Sequence, residues 1–162
     1  MPQSNLVLEN YSPALRDFIA LAKEKLYREP QETMLHPREF RNGDHKLNPD
    51  FTDNIAANAP RPAAGLGPII AREQPTGLLT QRSQHLSTHA GQVAFPGGRI
   101  DPGDASPLAA ALREADEEVG LPARFATPLG YLDSYLSGTG FRIVPVVALI
   151  EPGFTLTINP DE

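Results

Sequence analysis

Four acidic residues fall within positions 114 to 118 of the run Arg113 to Leu121 (READEEVGL). If this run is helical, Glu114, Glu117 and Glu118 project from one face, because positions i, i+3 and i+4 are neighbours with Cβ atoms about 5 to 6 Å apart. Like charges at this distance repel each other, so a cation is expected among them. Carboxylate oxygens with open positions for water and phosphate suit Mg²⁺ or Mn²⁺. A solvated acidic helix face is the alternative interpretation.

A glycine-rich loop, Phe95 to Asp104 (FPGGRIDPGD), precedes the acidic run. Gly97 and Gly98 have no Cβ, so the loop backbone can approach the helix and the metal, where a carbonyl could become a ligand. A plain turn is the alternative for this pair. For Asp104 we expect a helix cap or a hydrogen bond within the loop rather than direct metal ligation.

The acidic run resembles the second half of the signature box of the Nudix hydrolases, which reads Arg-Glu-apolar-x-Glu-Glu-x-Gly-apolar. The first half of the box departs from the pattern. Five residues separate Gly98 from Asp104, which stands where the box has Glu, and eight residues rather than seven separate Asp104 from Arg113. The loop and the run Ala-Leu-Arg-Glu-Ala resemble the coenzyme A diphosphatase branch of this family.

A second motif upstream also resembles the coenzyme A branch. It comprises Leu78 to Ser83 (LLTQRS), Gly91 and the Phe-Pro-Gly-Gly run that ends at Gly98. One position departs from the pattern, since this chain has Ser87 where the branch commonly has Arg. The matched region runs from about Ala63 to Ile150.

The resemblance implies a role for each residue of the box. Glu114 and Glu118 are implied to be the principal metal ligands, with Glu117 either a further ligand or a base. Arg113 can pair with Glu117 one turn away or reach back to the loop. The predicted site has catalytic Glu117, Arg113 and Glu114, metal ligands Glu114, Glu118, Glu117 and Gly98, and substrate-binding residues Arg82, Arg99 and Gly97.

The resemblance also implies a fold and an activity. The fold is an α/β Nudix fold, an α/β/α sandwich around a mixed sheet. The activity is hydrolysis of the diphosphate linkage of coenzyme A or acyl-coenzyme A, with Mg²⁺ or Mn²⁺, to 3′,5′-ADP and (acyl-)4′-phosphopantetheine. A Nudix hydrolase of another substrate, such as ADP-ribose, is the first alternative. A catalytically silent Nudix binding module is the second.

Composition restricts the function further. The 162 residues carry a net charge of −6, which argues against a nucleic-acid binder with a basic face. The chain has no cysteine, which excludes a disulfide or a thiolate nucleophile and suits a cytoplasmic protein. No apolar run approaches the roughly 20 residues of a membrane span. The expected partner is therefore a small diphosphate, with neither nucleic acid nor membrane.

The periodicity of apolar residues predicts the elements that position the site. Residues 1 to 62 are predicted to form an amphipathic helix, starting at Ser12 and Pro13, and an irregular connector; residues 63 to 162 are predicted to form the Nudix domain. A helix from Ser106 to Gly120 carries the acidic run. Strands are predicted at 66 to 72, 77 to 81, 92 to 95, 128 to 136 and 141 to 150.

Some residues receive a structural interpretation. Pro145 is predicted to place the strand 141 to 150 at a sheet edge or a bulge. Tyr131 and Tyr135 are expected to share one strand face and to pack, and His85 and His89 to be hydrogen-bonding or surface residues. Residues 154 to 158 alternate as a half-buried strand does. We expect the domain to continue beyond residue 162, or its exposed surface to be covered in a homodimer.

Overall fold

The computed structural model describes residues 6 to 36, 42 to 48, 59 to 81 and 91 to 159. In these ranges seven strands form one mixed sheet and two further strands form a separate pair. The helices are α1 (Pro13–Lys25), α2 (Glu32–Leu35) and α3 (Pro107–Val119). The strands are β1 (Asn42–Gly43), β2 (Arg61–Ile70), β3 (Thr76–Gly77), β4 (Thr80–Gln81), β5 (Val93–Ala94), β6 (Gly97–Arg99), β7 (Ala126–Tyr131), β8 (Tyr135–Leu136) and β9 (Phe141–Ile150).

Two long parallel strands, β2 and β9, form the centre of the sheet. They pair without a break from Arg61 opposite Phe141 to Ile70 opposite Ile150. Beyond β2, β6 pairs with its first half and β3 with its last two residues. Beyond β9, β8 and then β7 pair with successive parts of the strand. The predicted first strand therefore begins at residue 61 rather than 66.

The prediction that Pro145 marks a sheet edge is wrong, because β9 is paired on both sides, whereas the predicted bulge is present in the segment beside it. Tyr131 lies opposite Val146 and Tyr135 opposite Ile143, so three residues of that segment face two of β9. The N–H and C=O of one residue point to the same side of a strand. The Pro145 carbonyl accepts from the Leu132 N–H at 3.0 Å, so the missing N–H also points toward β7 and β8. At that level β7 has ended at Tyr131 and β8 has not begun, so the missing N–H falls where the ladder is already interrupted.

The two faces of the central strands are covered by different helices. Even-numbered residues of β2 and β9, such as Leu66, Val144 and Val146, are buried against α3. Odd-numbered Ile69 and Leu149 pack with Leu15 and Ile19 of α1 on the opposite face. The predicted α/β/α sandwich around a mixed sheet is therefore confirmed.

Helix α1 begins and ends as its sequence predicts. The Ser12 side chain accepts a hydrogen bond from the Leu15 N–H at 3.3 Å, and Pro13 occupies the first helical position. The apolar stripe faces the sheet, with Leu15, Ile19 and Ala22 buried. The hydroxyl of Tyr11 donates to the Glu151 carboxylate and fastens the start of the helix to the end of β9.

The predicted irregular connector contains short elements in its described part. Besides α2 and β1 it has a single 3-10 turn, Asp44–Lys46. The Asp44 carboxylate accepts from the Tyr135 hydroxyl and from the Gly138 N–H, which joins this segment to the β8 side of the sheet. The division of the chain at residue 62 remains a prediction.

Three further predictions are corrected in the last part of the chain. The segment 128 to 136 is two strands, β7 and β8, interrupted at 132 to 134. Tyr131 packs in the core, as predicted, whereas Tyr135 lies on β8 and is exposed. Residues 154 to 158 do not join the sheet: the Thr157 and Asn159 N–H groups donate to the last carbonyls of α3.

No helix in the described ranges is both long enough and apolar enough to cross a membrane.

Candidate metal and phosphate site

The glycine loop and the acidic helix meet where β6 runs beside α3. Strand β6 pairs antiparallel with β2, with Gly98 opposite Ala64 and Gly97 opposite Gly65. Helix α3 packs over this pair through alanines. Ser106 caps its start by accepting from the Ala109 N–H at 3.1 Å, and Gly120 ends it in the left-handed conformation at φ 66°. These caps fix the position of Arg113 and the glutamates relative to the loop.

Gly98 lies directly against the Glu114 carboxylate. A Cβ at Gly98 would lie 2.4 Å from Cδ and from Oε2 of Glu114. Only glycine leaves room for the carboxylate in this position. The prediction that the glycine pair lets the loop approach the helix is therefore confirmed for Gly98.

Gly97 contributes both its small size and its N–H. A Cβ there would lie 2.4 Å from the Ala64 carbonyl oxygen of the neighbouring strand, so the glycine is needed for the pairing of β6 with β2. Its N–H donates to Oε2 of Glu118 at 3.3 Å. Glu114 and Glu118, one turn apart, thus reach two adjacent loop residues, Gly98 and Gly97.

Arg113 connects four groups around this point. Its Nε and Nη2 donate to the two oxygens of Asp104 at 3.1 and 3.0 Å. Its Nη1 donates to Glu114 at 2.9 Å and to Glu117 at 3.1 Å, and Nη2 also donates to the Arg99 carbonyl at 3.0 Å. The sequence predicted a bond to Glu117 or a bond to the loop, and the structure contains both.

Asp104 serves as an anchor of the loop, as predicted, and Ser106 rather than Asp104 caps the helix. One of its oxygens also accepts from the Asp101 N–H at 2.8 Å. The hydrogen bonds from Arg113 lower the pKa of Asp104, with that N–H as the second cause. The same ion pair raises the pKa of Arg113 above its ordinary value. Both groups therefore remain charged wherever the protein is folded near neutral pH.

The carboxylates suit a hard cation, although they are not preassembled around one. Glu114 is largely buried and Glu118 reaches the loop, whereas Glu117 is 56% exposed and is held by Arg113. Within the described ranges no three acidic or histidine side chains form a ready cluster. Glu114, Glu118 and the loop carbonyls supply the oxygen donors that Mg²⁺ and Mn²⁺ prefer. Glu117 would become a further ligand if its hydrogen bond to Arg113 were broken.

The predicted substrate-binding residues are only partly within the structure. Gly97 and Arg99 lie on β6, whereas Arg82, together with Ser83, His85, Ser87 and His89, lies outside the described residues. The Arg99 side chain leaves β6 on the face opposite α3 and reaches the Phe141 ring, with its guanidinium carbon 5.9 Å from the ring centroid. Its carbonyl, by contrast, faces Arg113.

Sequence reasoning missed three residues near this end of the sheet. Arg61 stacks on Phe141 from the neighbouring strand, with its guanidinium carbon 4.0 Å from the ring centroid. Arg142 points to the α3 face and is only 7% exposed, and its Nε and Nη1 have no hydrogen-bond partner among the described residues. Burial lowers the pKa of Arg142. The only feature of the sequence that pointed to these residues was a basic residue near the start of each of two strands. The pairing of the strands was needed to show that they lie at the same end of the sheet.

Curated relatives match a little under two thirds of the chain. The chain is 53% identical over 102 residues to the uncharacterized Nudix hydrolase NudL of Escherichia coli K12, which is 63% of this chain and 53% of that protein. NudL of Shigella boydii serotype 18 matches with the same identity and coverage. The chain spans about half the length of the curated relatives it matches.

Solved structures and a family comparison agree on the fold. An Ap4A hydrolase of C. elegans superposes with a TM-score of 0.50 at 21% identity, over 60% of this chain and 72% of that one. The Nudix hydrolase RenU of M. smegmatis gives 0.50 at 28% identity, over 61% and 64%. The NUDIX domain family matches residues 60 to 161, which contain the glycine loop, the acidic helix and β9. The chain therefore belongs to the Nudix family.

Proposed function

We propose that this protein hydrolyses the diphosphate linkage of coenzyme A or acyl-coenzyme A with Mg²⁺ or Mn²⁺. The products would be 3′,5′-ADP and (acyl-)4′-phosphopantetheine. The observation that carries the proposal is the approach of two helix carboxylates, Glu114 and Glu118, to the Gly97 to Gly98 backbone. This arrangement places two carboxylates against the loop backbone, with no side chain between them.

Each residue of the candidate site has a separate role in this proposal. Glu114 and Glu118 hold the cation, and the bound cation would offset phosphate charge and make water more acidic. Arg113 fixes Glu114 through a 2.9 Å hydrogen bond and ties the helix to the loop through Asp104. Glu117 is the most exposed of the three glutamates and is free of the loop, which suits a residue that accepts a proton from the attacking water.

The substrate assignment rests on the motif around the loop. The loop residues Phe95 to Asp104 and the upstream run Leu78 to Ser83 both resemble the coenzyme A branch. A cytoplasmic location and a homodimer belong to the same proposal, and the absence of cysteine supports the first of them.

A substrate panel with the purified protein tests the proposal. Coenzyme A, acetyl-coenzyme A and ADP-ribose would be incubated with Mn²⁺ or Mg²⁺, and the products separated by chromatography. We expect 3′,5′-ADP from the coenzyme A substrates and no turnover with a chelator. A higher kcat/KM for ADP-ribose would overturn the substrate assignment and leave a Nudix hydrolase. Absence of turnover for all three, with the metal still bound, would indicate the silent binding module.

A further inference from the structure

Two arginines share one aromatic ring at the end of the sheet nearest the glycine loop. Arg61 on β2 lies directly opposite Phe141 on β9, and its guanidinium carbon is 4.0 Å from the ring centroid. Arg99 on β6 reaches the same ring at 5.9 Å. Both arginine side chains are exposed, and the ring between them is half-buried. The ring therefore holds two guanidinium groups close together at the surface.

These two positive charges have no acidic partner in the described part of the chain. Arg61 donates to the Thr139 carbonyl at 3.1 Å, and neither arginine forms an ion pair there. Arg142 adds a third charge one residue along β9, on the opposite face, and two of its buried nitrogen atoms have no partner in the ranges that the structure describes. With the guanidinium carbons of Arg61 and Arg99 at 4.0 and 5.9 Å from one ring centroid, a bound anion would reduce the repulsion between them. Such a cluster is unusual in a chain whose net charge is −6.

The position of the pair relates it to the candidate metal site. Arg99 directly follows Gly98, and Gly98 lies opposite Ala64 on β2. Arg61 is three residues before Ala64, about 10 Å along an extended strand. Arg99 lies opposite Ala63, two residues after Arg61 on β2, so the two arginine side chains share a face. Gly98, the neighbour of Arg99, faces the Glu114 carboxylate, so the arginines lie on the other face. A substrate bound at the loop could extend around this edge of the sheet, and one nucleotide covers such a distance.

We propose that Arg61 and Arg99, held by Phe141, bind a phosphomonoester that the substrate carries apart from the diphosphate to be cleaved. Arginine forks bind phosphate oxygens in pairs, and two of them suit a dianionic group better than a monoanionic one. The inference rests on the proposed function. In coenzyme A the group would be the phosphate on the ribose, so the site would favour coenzyme A over its dephosphorylated form.

Binding without metal tests the site independently of catalysis. Titration calorimetry would compare 3′,5′-ADP with 5′-AMP, which lacks the second phosphomonoester. We expect tighter binding of 3′,5′-ADP to the wild-type protein, and a preference reduced about 10- to 100-fold in Arg61→Gln. Arg124→Gln is the matched control, because Arg124 also stacks on a ring, Phe125 at 4.8 Å, near the other end of β9. The control variant should keep the full preference.

Kinetics give the second readout. The ratio of kcat/KM for coenzyme A to that for dephospho-coenzyme A should fall about 10-fold or more in Arg61→Gln and in Arg99→Gln, mainly through KM. Equal binding of 3′,5′-ADP and 5′-AMP, or a preference that survives both substitutions, would overturn the site. If coenzyme A is not cleaved but the preference exists and depends on Arg61, the proposed function fails and the phosphate site stands.

Discussion

Arg113 and Asp104 form a two-point ion pair, with Nε to Oδ1 at 3.1 Å and Nη2 to Oδ2 at 3.0 Å. The pair joins the glycine loop to the acidic helix across nine residues of chain. Because the same guanidinium also contacts Glu114 and Glu117, it sets where two glutamates lie. Arg113 therefore fixes the position of the loop relative to the helix.

Replacing Arg113 with Lys should weaken the connection between the loop and the helix. An ammonium group is a single point and does not reproduce the paired bonds to Asp104 together with the bonds to Glu114 and the Arg99 carbonyl. We expect kcat to fall about 10- to 100-fold, because small displacements of positioning groups are costly to rate. Steady-state kinetics on Arg113→Lys and on Arg124→Lys as the control would measure this. Equal kcat in the two variants would contradict the role.

Gly98→Ala should displace the Glu114 carboxylate. The new Cβ would lie 2.4 Å from that carboxylate, whose flexible side chain moves more easily than the paired backbone. We expect a cooperative fold and a loss of turnover of about 100-fold. Gly103→Ala is the matched control in the same loop, because its Cβ would meet nothing within 4 Å. Normal activity of Gly98→Ala would show that Glu114 does not need its present position.

Glu118→Gln should abolish metal-dependent turnover while the fold is retained. The substitution removes one charge at almost constant volume, and the Glu118 carbonyl still accepts from Asn159. We expect turnover to fall by about 100-fold or more, with a weaker apparent affinity for Mn²⁺. Activity measured across a Mn²⁺ series, with circular dichroism as the folding control, provides the test. A variant that unfolds, or one that saturates at the wild-type metal concentration, would refute the ligand role.

The hydrogen bond from Tyr11 to Glu151 should make stability depend on pH in the alkaline range. Burial and this bond raise the pKa of Tyr11 from 10.0 to about 12. A pKa raised on folding contributes stability that is fully present below pH 10 and is lost as pH rises through about 12. Tyr11→Phe should cost about 1 kcal/mol at pH 8.

Urea unfolding at several pH values would measure this effect. The difference in unfolding free energy between the wild-type protein and Tyr11→Phe should shrink between pH 10 and 12. A difference that stays constant over that window would mean that the hydroxyl does not titrate as the structure indicates.

Docking of α1 on the sheet should contribute to the stability of the whole domain. Ile19 is fully buried against Leu149, so Ile19→Ala should cost about 2 to 5 kcal/mol. Leu21→Ala, on the exposed side of the same helix, should change stability by less than about 0.5 kcal/mol. Denaturant unfolding of both variants compares them directly. Equal effects would mean that α1 is not packed on the sheet in solution.

Local signals in the sequence determined the helices and the acidic site. Ser12 with Pro13, and Ser106 with Gly120, bound α1 and α3 because capping depends on residues within one turn. The i, i+3 and i+4 spacing of the glutamates fixes their common face for the same reason. The need for glycine at position 98 was also predictable, since the loop had to approach that face.

Tertiary structure decided what depends on distant pairing. Pro145 is tolerated in a central strand because the chain leaves the sheet at residues 132 to 134, which no local rule contains. Residues 154 to 158 had the alternation of a strand, yet their N–H groups found the free carbonyls of α3. Arg61, Arg99 and Phe141 come from three separate strands, so only the pairing of β2 with β6 and β9 brings them together.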